Sequence, residues 1–401
     1  MHDNQPSNDV ETLKAQVREL KAQNAELERQ LHQSSQTGLP IRRTLHRAMA
    51  EISPLEETGF RPVIAVIRLD RAYERIRNSR DRHKALLFAS VLRMQSVVGQ
   101  QLYQSDRLEE FFVLFRHVRD YRWALRMLEE LAGEVARPHE PPANDVVFGC
   151  HIGVARCTNG NETVEDLLQN AFIAVDEGER RGSAVRLYDE ELGSHYRERE
   201  QLEKRLKSAI QNAFEGFGIY YQPLVDRARR VSGAEALLRW EHGGLGVMSP
   251  EQFVPLAEET GDIRFIGQWT LYNAARQMRD WRRAGGAPNF YVSVNLASAQ
   301  FKQPDLVLRV TGILDTLGLS GEHLVVELTE RAVMDEPERA IETMQELRKR
   351  GIRISIDDFG TGYSSLSYLR QFPIDAIKID KAFIRDVDSS RHNQEIVKAV
   401  I

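Results

Sequence analysis

Apolar residues recur at alternating steps of three and four from Val10 through Leu13, Val17, Leu20, Asn24 and Leu27 to Leu31. This is the spacing of a heptad seam with its a and d positions filled. Asn24 falls at an a position, where a buried amide meets its own copy across a parallel two-stranded coil. An amphipathic helix lying on its own domain has the same spacing, but flanks rich in Lys, Glu, Gln and Arg favour the coil. The reading is a flexible tail over 1–9 and a coiled-coil helix over 10–34.

Strands and helices mix from 35 to 189. Pro62–Leu69 (PVIAVIRL) is a short, nearly continuous apolar run, as in a buried strand. Phe111–Phe115, Val146–Val154 and Val185–Tyr188 are further strand candidates, with helices expected over His83–Val97, Arg122–Val135 and Asp166–Glu179. A charged helix over 190–213, with Leu202, Leu206 and Ile210 on one face, reads as a rigid linker. From 214 to 401 the pattern changes to regular strand–helix alternation. Strands are expected at Gly218–Val225, Ala234–Trp240, Phe290–Leu296, Leu324–Leu328, Ile352–Ile356 and Ala376–Ile379, with helices such as Pro250–Glu259, Ile266–Arg283 and Glu336–Lys349 between them. Such alternation implies a parallel sheet, open or closed into a barrel.

At 401 residues the chain exceeds one ordinary core, so two or three domains are expected. Lys+Arg 54 against Asp+Glu 59 gives a net charge of −5, which excludes a bulk polycation and therefore non-specific DNA binding. Any nucleotide must be held by a local site. No apolar run approaches the ~18 residues of a membrane span, and the polar start MHDNQPSNDV is no secretory signal. Two cysteines, Cys150 and Cys157, form no disulfide framework and have no metal-ligand company, so a reduced cytoplasmic chain is expected.

The chemistry lies in where the acids fall. Glu235, Asn295, Glu327 and the pair Asp357–Asp358 sit within or at the C-terminal end of different expected strands. A lone acid is ordinarily a surface or capping residue. Several at converging strand ends are costly unless a cation neutralises them. Oxygen-only ligands suit Mg2+ or Mn2+, and the lack of His and Cys argues against zinc. Asp357 can bridge two ions while Asp358 reaches the second, the arrangement of a two-metal phosphodiester hydrolase. Lys378 ends the next strand, where a cation can orient water or offset charge on the phosphorus. Gly360 and Gly362 let the backbone turn directly after the aspartates.

YYQPLVD, GAEALLRW, SPEQFVPLAEETGDI, YVSVNLA, VVELTE, ISIDDFGTGYSSL and IKIDKAFI, in that order, resemble the successive signatures of EAL-type cyclic di-GMP phosphodiesterases. The resemblance implies a (β/α)8 barrel whose first strand is antiparallel to the rest, and hydrolysis of cyclic di-GMP to linear pGpG. It implies that Glu235, Asn295, Glu327 and Asp357 form the first metal site, that Asp358 contributes to the second and that Lys378 is the catalytic lysine. It further implies that Glu330 props the loop after Asp358, and that Gln222, Arg239, Pro255 and Asp380 hold the ligand. The family barrel continues for two more strands, carrying a metal-site glutamate and a ligand-binding glutamine. Without them the chain reads as an incomplete barrel and a fragment of a longer product.

TGLPIRRTLHRAM is similar to the opening of GGDEF-type diguanylate cyclases, an α+β nucleotidyl-cyclase-like fold, with a weaker match continuing to 189. The cyclase signature would fall at Arg107, Leu108, Glu109, Glu110 and Phe111, where Arg107 and Leu108 replace two glycines. Arg68 stands where the family has a metal-binding aspartate, and an inhibitory RxxD motif would need other residues than Val98 and Gln101. The expectation is a degenerate GGDEF domain without cyclase activity. GTP is a possible ligand, and Glu109 and Glu110 read equally as solvated hairpin charges. The whole chain is expected to be a homodimeric phosphodiesterase regulated by a dead cyclase domain. The alternative is a non-catalytic cyclic di-GMP receptor signalling through the coil, which the intact EAL and DDFG residues disfavour.

Overall fold

A computed structural model describes residues 16–21, 32–52, 61–70, 80–138, 149–158, 162–242, 246–360 and 370–400, which fall into two compact units, Met1–Glu198 and Arg199–Ile401. In the first unit, the unbroken burial from Pro62 to Ile67 makes β1 (Arg61–Leu69) a central strand, covered on both faces. It pairs antiparallel with β3 (Glu110–Val118) and with β4 (Cys150–Arg156). With β2 (Leu102–Gln104) and β5 (Val185–Leu187), the order is β2-β3-β1-β4-β5. Alternate residues of β1 feed two cores. Val63, Ala65 and Ile67 pack with apolar residues of α2 (Arg80–Val98) and α3 (Tyr121–Val135), while Ile64 and Val66 pack with those of α1 (Arg42–Ala50) and α4 (Val164–Arg181). Helix α4 begins at a capping box, Thr163 with Asp166, and ends at Gly182 in the left-handed conformation.

The second unit opens with the hairpin β6 (Phe217–Val225) and β7 (Val231–His242), extended by the short β8 (Gly246–Met248). Four parallel strands follow: β9 (Tyr291–Leu296), β10 (Leu324–Thr329), β11 (Arg353–Phe359) and β12 (Ala376–Ile379). The sheet order is β12-β11-β10-β9-β7-β6, with β6 antiparallel to its neighbour and β8 paired to β7. Helices α6 (Pro250–Thr260), α7 (Ile263–Arg283), α8 (Ser298–Phe301), α9 (Leu306–Leu317), α10 (Glu330–Met334), α11 (Pro337–Lys349), α12 (Lys381–Ile384) and α13 (Arg391–Val400) complete it. One face of the parallel strands, with Val292, Val294, Val326, Leu328, Ile354 and Ile356, packs on α7, α9 and α11. The opposite face carries the polar residues of the alternation.

Three sequence readings change here. The expected strand at Ala234–Trp240 extends to Val231–His242, because two hairpin partners prolong it. The linker helix α5 (Glu190–Gln211) stops short of 213, since Ala213 and Phe214 adopt positive φ of 56° and 61°. It is also no bare connector: Leu192 and Tyr196 pack with Ile173 and Ala174, whereas Leu206 and Ala209 join Trp240, Phe253 and Ile266. Of the heptad seam, Val10, Leu13, Asn24, Leu27 and Leu31 lie outside the described residues. Residues 16–21 are helical, with Val17 and Leu20 exposed. No helix among the described residues is long and apolar enough to cross a membrane.

Candidate active site

Register brings the acids together. Glu235 on β7 lies beside Ser293 on β9, Asn295 beside Glu327 on β10, and Thr329 beside Asp357 on β11. Because side chains alternate along a strand, these polar groups share one face while their apolar neighbours fill the helix-covered core. The carboxylates of Glu235, Glu327 and Asp357 offer oxygens within 4.8 Å of one another. The Lys378 ammonium on β12 donates to Glu327 Oε2 at 2.7 Å, Glu235 Oε2 at 2.9 Å and Asp357 Oδ2 at 3.4 Å. Asn295 Nδ2 donates to Glu235 Oε1 at 3.0 Å, so both oxygens of Glu235 are engaged.

Burial sets the electrostatics. Glu327 is 2% exposed, and its carboxyl is pushed up to about 6 by desolvation; the Lys378 ammonium opposes this and the Glu235 charge adds to it. Burial pulls the Lys378 ammonium down, but hydrogen bonds and charge from Glu327, Glu235 and Asp357 outweigh it and hold it above the ordinary lysine value. Asp358 is raised by desolvation, by the adjacent Asp357 charge and by a hydrogen bond to Asp380.

Asp358 has φ +51°, and Gly360 follows at φ +99°, where a Cβ would meet the Phe383 ring at 2.8 Å. This turn is pinned from below: Glu330, buried at the start of α10, accepts the Gly360 N–H at 3.1 Å. Gly362 lies outside the described residues. Asp380 caps α12, accepting the Ala382 N–H at 2.6 Å. Gln222 is exposed on β6, paired in register with Glu235. Arg239, on the same face of β7 as Glu235, donates to the Leu238 carbonyl at 2.7 Å and lies over the Tyr220 ring at 5.9 Å. Pro255 is exposed within α6, on an element apart from the carboxylates. Sequence reasoning missed Ser293 and Ser355, which are 1% and 3% exposed on the carboxylate face. The alternation in YVSVNL and RISIDDF carried that signal.

In the first unit the Arg68 guanidinium sits among three carboxylates: Glu110 at 3.3 Å, Asp176 at 2.7 Å and Glu179 at 3.1 Å. Burial pulls its pKa down, but Asp176 and the other carboxylates prevail and raise it. Glu110 is therefore not a solvated hairpin charge. It is 4% exposed, stands opposite Arg68 in the β1–β3 register, and also accepts from Ser105 Oγ at 2.8 Å. Glu109 is half-buried, Arg107 exposed, Leu108 packed against the core and Phe111 fully buried. A cavity of about 430 Å³ is lined by Arg68, Arg107, Glu109, Glu110, Asp176 and Glu179.

A largely parallel sheet that delivers three carboxylates, an amide and a lysine to one face defines a mixed α/β protein with an acidic, cation-holding site. Residues 203–401 match the family model of the EAL domain, and this part of the chain belongs to the EAL family. The bifunctional diguanylate cyclase/cyclic di-GMP phosphodiesterase MucR of Pseudomonas aeruginosa is 35% identical over 292 residues, covering 72% of this chain and 42% of that protein. The cyclic di-GMP phosphodiesterase PdeR of Escherichia coli is 32% identical over 260 residues, covering 64% of this chain and 38% of that protein. Among solved structures, the EAL enzyme Bd1971 in its cAMP- and cyclic-di-GMP-bound form aligns with a TM-score of 0.50 and 28% identity, over 64% of this chain and 68% of that one. The chain spans less than half the length of these curated relatives.

Proposed function

We propose that the EAL unit hydrolyses one phosphodiester bond of cyclic di-GMP to give linear pGpG. The observation that carries this reading is the convergence of Glu235, Glu327 and Asp357, with Asn295 and Lys378, on one face of the sheet. Relatives named as cyclic di-GMP phosphodiesterases supply the substrate. The cluster fits a hard divalent cation: its donors are all oxygens, and it already gathers an ammonium among three carboxylates. On this reading Glu235, Asn295, Glu327 and Asp357 hold one Mg2+ or Mn2+ and Asp358 contributes to a second. Such ions, when bound, lower the pKa of water and stabilise charge on the phosphoryl oxygens.

The chain's own groups do the rest. Water adds to phosphorus, the P–O3′ bond breaks, and a proton passes to O3′. Lys378 offsets negative charge developing on the phosphoryl group and orients the attacking water. Glu330 holds the backbone turn after Asp358 through the Gly360 N–H. Gln222, Arg239, Pro255 and Asp380 contact the dinucleotide, Arg239 at its phosphates. The first unit is a degenerate GGDEF domain that regulates the second; the name of MucR pairs a diguanylate cyclase with a cyclic di-GMP phosphodiesterase. The coil over 10–34 joins two copies, and the EAL sheet is part of a (β/α)8 barrel.

Glu235→Ala tests the assignment. With Mn2+ and cyclic di-GMP, turnover is expected to fall by at least 100-fold while the circular dichroism spectrum and melt stay close to wild type. Activity within threefold of wild type would overturn it.

A further inference from the structure

Two buried hydroxyls on the carboxylate face are treated unlike others in the chain. The buried hydroxyls of Ser90, Thr270 and Thr311 lie on helices, and each donates to the carbonyl four residues back, at 2.8, 2.9 and 2.9 Å. A strand offers no such carbonyl, because its own are engaged in the ladder. Ser293 on β9 and Ser355 on β11 are 1% and 3% exposed, and neither Oγ closes a hydrogen bond of ordinary geometry. A buried hydroxyl left in that state is costly, and alanine would avoid the cost in nearly the same volume.

Register shows what these serines stand next to. Ser293 lies beside Glu235, and Ser355 beside Glu327. Serine is two bonds shorter than glutamate, so each hydroxyl sits closer to the sheet than the carboxylate of its neighbour. Ser293 also bears on Glu327, where it favours the ionised carboxylate. A hard divalent ion takes about six oxygen ligands and keeps water on the positions that protein does not fill. A serine hydroxyl can meet both needs of such a site, since it donates one hydrogen bond and accepts others.

We propose that Ser293 and Ser355 are positioning residues of the metal site, donating to the carboxylates of Glu235 and Glu327 and accepting from water held there. The inference rests on the metal reading above and adds two residues to it. The hydroxyls gain their full set of partners only when the site is loaded, so they favour the loaded site at the expense of the empty fold.

The test is Mn2+ titration by calorimetry of the full chain, of Ser293→Ala and of Ser355→Ala, beside circular dichroism melts in EDTA. Each variant is expected to bind Mn2+ about tenfold more weakly than wild type and, without metal, to melt at or above the wild-type temperature. A hydroxyl that only fills space in the fold gives the opposite pair, unchanged affinity and a lower metal-free melt. Affinity within about twofold of wild type, or a metal-free melt below it, overturns the role of that serine and leaves the metal reading standing. Wild type that binds no Mn2+ overturns both.

Discussion

Cys150 sits on β4 with 4% of its surface exposed, and burial pushes its thiol up to about 12, with the Asp70 carboxylate adding to the effect. Unfolding releases it to ionise near the ordinary thiol value of about 8.5. The folded chain therefore binds the proton more tightly. The stability this contributes is full below the unfolded pKa and is lost as pH rises toward 12. Ellman's reagent at pH 8 is expected to titrate neither Cys150 nor Cys157 in the native protein, and both in guanidinium. One thiol reacting within minutes in native buffer would contradict this. At the same scale, Glu235, Glu327 and Asp357 were legible because an acid inside an apolar run stands out. The buried fate of Glu110 was not, because its partner Arg68 lies on another strand. Nor does spacing along the chain reveal that one ammonium on β12 reaches acids from three strands.

Close approach of β4 and α4 depends on one missing side chain. A Cβ at Gly153 would meet the Ala171 carbonyl oxygen at 2.0 Å and the Val175 backbone nitrogen at 2.3 Å. Both obstacles are backbone of one helix, so relief requires the helix to lift from the sheet. Gly153→Ala is expected to destabilise the first unit by about 3 kcal/mol, read as a lower denaturant midpoint. A loss under about 0.5 kcal/mol would show that the helix shifts freely. Most elements could be read from the pattern of apolar residues: a run as short and β-branched as PVIAVIRL fits a central strand. The three-residue β2 could not: Leu102–Gln104 carries no period, and the buried Gln104 side chain accepts from the distant Thr37 Oγ1 at 3.0 Å and donates to the Arg107 carbonyl, three residues on, at 2.8 Å. The end of α5 was equally hidden, because its last turns take their partners from β7, α6 and α7.

At the scale of the whole chain, the proposed tandem carries one working chemistry and one silent one. Glu235→Ala blocks loss of any cyclic di-GMP formed, so that variant incubated with GTP and Mg2+ isolates the first unit. Chromatography is expected to show no cyclic di-GMP, and none after Arg107→Gly and Leu108→Gly are added, because Arg68 still occupies the carboxylate cluster. Product above the no-protein blank would show that the guanidinium does not exclude the ions a cyclase needs. Seen as a step in descent, that guanidinium works as a ratchet. Arg68→Asp alone would set a fourth carboxylate beside Glu110, Asp176 and Glu179, with Glu110 almost fully buried. On the proposed reading of the first unit as a degenerate cyclase, that substitution destabilises the fold without restoring turnover. Drift is left free to rework the cavity around Arg68 for other purposes, but not to retrace its steps one substitution at a time.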